Sequence, residues 1–268
     1  MKFQNLPKKS LGQNFLIDNN IINKIINIGN ITSEDKVLEI GAGYGSLTKQ
    51  IEKFNPKIIY AIEKDKKIAD CIIENFKNSK NIYVINEDIF KILKKKSFDK
   101  NLIIFGNLPY NISSQILASL ILLNKWPPWY KKMILMFQEE VAERILAKSG
   151  SKEYGRLSIL ANWRLEIKKH FNVSKNCFSP IPKVNSTILS FSPKENYKFK
   201  LKNPKTLEMV TRVLFSNRRK MINKNFKKLF KKDDSISKKL QIDLTKRPEE
   251  INNETFYKIA MKYETLFN

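Results

Sequence analysis

The chain has 268 residues with 50 Lys+Arg against 26 Asp+Glu, a formal charge of +24, so a polyanion such as nucleic acid is the expected partner, ahead of an anionic membrane surface or a merely solvated lysine coat. An apolar fraction of 42% with 17 Phe, 9 Tyr and 3 Trp excludes a disordered chain, because that much apolar side chain forms an ordinary core. No apolar run approaches the roughly 20 residues of a spanning helix, and two distant cysteines, Cys71 and Cys177, exclude a disulfide framework or zinc cluster. The opening residues lack the apolar stretch of a signal peptide, so a cytoplasmic protein is expected.

Because 43 of the 50 cations are Lys, part of the charge reflects composition; its distribution says more. Residues 196–268 hold 19 Lys+Arg and 8 Asp+Glu, which is +11 in 73 residues against +13 in the other 195.

In chain order, β-rich runs at 36–40, 58–62, 82–85, 102–105 and 133–137 alternate with amphipathic segments at 47–54, 66–75, 113–123 and 139–148. That alternation predicts an α/β fold whose mostly parallel sheet is flanked by helices. Strands at 165–173 and 186–191 are separated by a Pro-bearing loop too short for a crossover helix, so they are expected to pair antiparallel. After Ser192-Pro193 only helical patterns remain, over 204–230 and 252–267, which predicts one domain over 1–195 and a small helical domain over 196–268. On a continuous helix over 204–230, Lys220, Lys224, Lys227, Lys228 and Lys231 would share one face beside Arg218-Arg219, forming a basic stripe.

The chemistry gathers at strand ends. The first strand runs into Gly41-Ala42-Gly43-Tyr44-Gly45, a turn that lets a ligand approach the main chain; its G-x-G-x-G spacing differs from the dinucleotide fingerprint G-x-G-x-x-G. The second strand ends in Glu63, 22 residues after Gly41, where ribose hydroxyls are usually held. The third ends in Asn86-Glu87-Asp88, and either acid alone could equally cap the next helix. Together, the three ends describe a site for an adenosine without pyrophosphate, which favours S-adenosylmethionine. The fourth strand ends in Asn107-Leu108-Pro109-Tyr110. The Asn107 amide oxygen and Leu108 carbonyl can accept hydrogen bonds from an adenine amino group, Pro109 fixes φ, and Tyr110 offers a stacking face. A sulfonium methyl is already activated, so aimed dipoles suffice and no metal is needed. The single histidine, His170, lies on an alternating strand and is expected to pack, as are Trp126, Trp129 and Trp163.

With these motifs in place the sequence resembles the ribosomal small-subunit adenine dimethyltransferases of the KsgA type, which share a Rossmann-like methyltransferase fold and are related to the macrolide-resistance rRNA methyltransferases. The resemblance runs through 9–16, the glycine turn, 107–110, 137–144, 154–158, 178–184 and 215–220. It implies that Gln13, Asn14 and Leu16 close over S-adenosylmethionine and that Gly41 and Gly43 lie against it. Glu63 then falls on its ribose, Asp88 on its adenine, and Asn107 between cofactor and target. It implies Phe178 facing Tyr110 across the flipped base, and Arg218, Arg219, Lys220 and Lys224 on RNA. The implied substrate is two adjacent adenosines near the 3′ end of 16S rRNA in an immature small subunit; apart from the resemblance, a monomer is expected, with no membrane and with no protein partner identifiable from the sequence. Alternatives are dimethylation of one 23S rRNA adenosine, DNA adenine methylation, and a ribosome-assembly factor with secondary catalysis.

Overall fold

A computed structural model describes residues 14–95, 98–231, 233 and 235–267. Its strands and helices follow in chain order as β1 (Phe15–Leu16), α1 (Asn19–Gly29), β2 (Lys36–Ile40), α2 (Ser46–Glu52), β3 (Ile58–Glu63), α3 (Lys66–Asn75), β4 (Ile82–Asn86), α4 (Ile89–Lys95), β5 (Leu102–Asn107) and α5 (Ser113–Ile121). They continue as β6 (Tyr130–Gln138), α6 (Glu139–Leu146), α7 (Arg156–Arg164), β7 (Leu165–Val173), β8 (Phe178–Ser179), β9 (Ser186–Pro193), α8 (Lys205–Leu214), α9 (Asn223–Leu229), α10 (Ser235–Lys239) and α11 (Asn253–Phe267). No helix among the described residues is long and apolar enough to cross a membrane.

The chain divides into two compact units. The first comprises the residues up to Ser119, Pro128–Ala142 and Ile167–Pro193; the second comprises Leu120–Pro127, Glu143–Glu166 and Lys194 onward. The expectation assigned all of 1–195 to one domain, whereas by compactness two internal segments group with the tail.

In the first unit a seven-stranded sheet has the order β4-β3-β2-β5-β6-β9-β7. The strands from β4 through β6 pair in parallel, and β9 runs antiparallel to β6. This is the α/β fold expected from the alternation, in the Rossmann-like form that the family resemblance implies. Contacts His170–Ser190 and Thr187–Asn172 run in opposite chain directions, so β7 and β9 are antiparallel neighbours. Buried strands such as β2 and β5 read as continuous apolar runs because helices cover both faces. Ile22, Ile25 and Ile26 of α1 pack with Val37, Ile59, Ile103, Phe105 and Ile134, each such side chain contributing about 1.5–3 kcal/mol on burial. Asp18 starts α1 by accepting from the amides of Asn20 and Ile21, which otherwise lack partners in the first turn.

The second unit is built chiefly from helices, with α8 packed between α7, α9 and α11. Its tail corrects one expectation: 204–230 is not a continuous helix. Helix α8 stops at Leu214, Phe215–Asn217 form a 3-10 turn, and α9 restarts at Asn223. Two contacts enforce the break. The Ile222 amide donates to the Lys246 carbonyl at 2.9 Å, and the Asn225 side chain donates to the Leu214 carbonyl at 3.3 Å, taking up an acceptor that helix termination exposes. Lys220 and Lys231 therefore fall outside α9, and the single-faced stripe dissolves into Lys224, Lys227 and Lys228 with separate flanking cations.

Candidate active site

In this class of sheet, ligands sit outside the carboxyl ends of the strands, where neighbouring connections diverge. Here β3 and β5 flank β2 on opposite sides, and a cavity of about 240 Å³ opens beyond these ends. Asn14, Phe15, Gly41, Gly43, Glu63, Lys64, Asp88 and Asn107 to Ile112 are among its lining residues.

The glycine turn forms one wall. Gly41 and Gly43 have φ of 74° and 56°, a region costly for other residues. A Cβ on Gly43 would lie 2.9 Å from the Phe15 ring. The Gly43 amide donates to Glu63 Oε2 at 3.0 Å and the Asp65 amide to Oε1 at 2.8 Å. Burial pushes the Glu63 carboxyl above its ordinary range, opposed by these amide donors. Each carboxylate oxygen can accept two hydrogen bonds, and with the Lys64 amide as a third main-chain donor the carboxylate keeps acceptor capacity for a ligand hydroxyl.

At the next strand end, Asp88 Oδ1 accepts from the Phe90 amide at 2.8 Å, capping α4, while Oδ2 pairs with the Lys64 ammonium at 2.8 Å. Lys64 holds the Asp88 carboxyl below its usual value. The Asn86 side chain donates to the carbonyls of Glu63 and Lys64, which binds the ends of β3 and β4 together.

Asn107 closes β5. Its Nδ2 donates to the Asn14 main-chain carbonyl at 3.0 Å, which fixes the amide's sense and leaves Oδ1 as the acceptor. Leu108 is buried, and the turn continues through the Pro109 carbonyl, bonded by the Ile112 amide, into α5. The Tyr110 hydroxyl shares a 2.7 Å hydrogen bond with Ser186 Oγ, and burial raises its pKa. Beneath the pocket, Glu39 accepts from Thr48 Oγ1 at 2.5 Å. Burial, and secondarily the charge of Glu63, push Glu39 up to about 8.

The ribosomal RNA adenine dimethylase family matches residues 4–265. The chain belongs to that family. Ribosomal RNA small subunit methyltransferase A of Pelagibacter ubique (strain HTCC1062) is 46% identical over 259 residues, covering 97% of each chain. A dimethyladenosine transferase from Plasmodium falciparum superposes with a TM-score of 0.76 at 29% identity, over 94% of this chain and 98% of that one. The 23S rRNA methyltransferase ErmE shares the fold, with a TM-score of 0.66 at 19% identity over 94% and 99% of the two chains.

For this dimethylase family member, the cavity gathers Asn14, Gly41, Gly43, Glu63, Asp88, Asn107, Leu108, Pro109 and Tyr110 from the expected site residues. Gln13 lies outside the described residues. Leu16 and Phe178 do not line the cavity: at 2% and 1% exposure they pack into the core, paired across the two-stranded sheet β1–β8. In place of Leu16, Phe15 reaches the cavity, as alternation along β1 requires. Phe15 and Lys64 are among the lining residues that were not expected, together with Ile40, Ile62, Glu87, Ile89, Asn111, Ile112 and Ile116. Lys64 could have been suspected from its position directly after Glu63. In the second unit, Arg219, Lys220 and Lys224 are exposed, but the Arg218 guanidinium is engaged by Glu249 at 2.7 Å and by the Lys152 carbonyl.

Proposed function

We propose that this chain dimethylates N6 of two adjacent adenosines in the 3′-terminal hairpin of 16S rRNA, using S-adenosylmethionine, within immature small subunits in the cytoplasm. The supporting observation is the Asn107 amide, oriented by the Asn14 carbonyl at the mouth of a cavity edged by Gly41, Glu63 and Asp88. Glycines that admit close main-chain approach, with acids on two successive strand ends, suit an adenosine-bearing donor without pyrophosphate. When bound, S-adenosylmethionine supplies a sulfonium-activated methyl group, so no metal enters the proposal.

Gly41 and Gly43 would take the donor's amino-acid end, Glu63 its ribose and Asp88 its adenine. Asn107 Oδ1 and the Leu108 carbonyl accept from the target amino group, drawing its lone pair out of the ring and toward the methyl. Preorganised acceptors of this kind need no rearrangement during reaction. Tyr110 offers the stacking face, worth about 1–3 kcal/mol per base, against an unstacking cost of a few kcal/mol. Leu16 and Phe178 contribute by holding β1 on β8, which places Asn14 and Phe15. Arg219, Lys220 and Lys224 would meet RNA phosphates, with Arg218 fixing the turn that carries them.

The test is mass spectrometry of 16S rRNA from a host lacking this gene, before and after incubation with purified protein and donor. Two dimethyladenosines should appear in the 3′-terminal hairpin. Modification of 23S rRNA instead would transfer the reading to the resistance-type reaction, which the 46% identical small-subunit relative disfavours.

A further inference from the structure

At the opposite end of the same sheet, four aromatic rings from four separate segments form a continuous row. Tyr83 of β4 lies 6.0 Å from Tyr60 of β3, Tyr60 lies 6.1 Å from Phe98, and Phe98 lies 4.6 Å from Trp129, which directly precedes β6. Tyr83, on an edge strand, is 52% exposed, and the other three are partly exposed. Aromatic surface kept in water in one contiguous patch marks a contact site more often than scattered apolar residues do.

The charge around the row is cationic. Lys57 and Lys100 are exposed beside it, and the carboxylate within it, Asp99, is neutralised by Lys36 at 2.9 Å and accepts from the Tyr60 hydroxyl at 3.5 Å. A patch that cancels its own acid and keeps its lysines is complementary to phosphate, and rings beside cations are the combination that holds unpaired bases along a backbone. We propose that the row Tyr83–Tyr60–Phe98–Trp129 is a second RNA contact, which takes unpaired bases of a single strand at the end of the sheet remote from the cavity.

The experiment uses the full chain and single-stranded oligouridylate, whose bases lack the amino group that the cavity would recognise. Tyr83→Ala should weaken oligouridylate binding about fivefold or more, and Tyr83→Phe should restore it, because each stacked base contributes about that factor. Lys57→Glu, a second exposed variant, should weaken binding and lower the salt slope by about 1. Donor binding should be unchanged in all three, and ultraviolet crosslinks should map to peptides containing Tyr83 or Trp129. Wild-type affinity in both Tyr83→Ala and Lys57→Glu, or crosslinks confined to other peptides, would overturn the proposal. So would a change in sedimentation of Tyr83→Ala without loss of RNA binding, which would assign the row to self-association. Neither result bears on the methyl-transfer reading, which the rRNA assay tests.

Discussion

Glu39 beneath the cavity and Arg164 in the second unit are equally buried, at 1% exposure each, yet their surroundings differ in kind. Glu39 has the Thr48 hydroxyl and the nearby charge of Glu63; burial pushes it up to about 8, so at neutral pH it is held mostly protonated. Arg164 cannot shed its charge. It is enclosed by the faces of Trp163, Trp126 and Tyr197 at 3.9, 4.8 and 5.5 Å, and it donates to the carbonyls of Ile121 and Leu123. A buried acid adapts by neutralising itself, whereas a buried guanidinium requires a dedicated enclosure. The contrast extends to purpose. Arg164 spends hydrogen bonds on its own unit, while Asn107 keeps an acceptor available at the cavity.

The largest expected effect breaks the enclosure. Arg164→Ala should lose about 3–5 kcal/mol in urea unfolding, since it empties an aromatic cage and strands two carbonyls, while donor affinity of the folded fraction stays at the parent value. Reduced donor affinity at unchanged stability would invert the contrast. Next, Asn107→Ala should lower turnover about 10²- to 10³-fold with an unchanged urea midpoint; parent-like turnover would remove Asn107 from the mechanism.

The smallest effect concerns Glu39 and is seen as a pH dependence. Its folded-state pKa of about 8 lies above the ordinary 4.5, so between these values the folded chain binds more protons than the unfolded one. The stability it confers is fully present below about 4.5 and is lost progressively as pH rises toward 8. Glu39→Gln keeps the neutral form and should flatten that decline in urea melts across the interval. A variant that keeps the parent slope would show that Glu39 is charged throughout.

Much of the fold was legible because parallel strands buried on both faces, such as β2 and β5, write themselves as apolar runs, while the half-exposed antiparallel edge strand β7 shows as an alternation; β2 and β7 occupy the expected residues, and β3 to β6 extend theirs by one to four. The tail was not legible. The lysine spacing continues helically through 217–222, but the break is imposed by the distant Lys246 carbonyl and by Asn225, contacts that no local pattern encodes. At the site, the residues whose backbone or carboxylate faces the cavity were readable from strand ends. Phe178 was not, because resemblance conveys which residue type recurs and not whether its ring faces a ligand or, as here, the core. Glu39 did leave a trace, as an acid inside the apolar run Val37 to Ile40.

The hydrogen bond from Asn107 to Asn14 has one more consequence. An amide can sit either way round, and here the choice is made by a carbonyl 93 positions upstream. Deamidation of Asn107, which conserves shape, would set an oxygen against that carbonyl, two acceptors face to face. Chemical ageing at a single side chain would thus turn the site away from its own amino-terminal strand and retire the molecule without unfolding it.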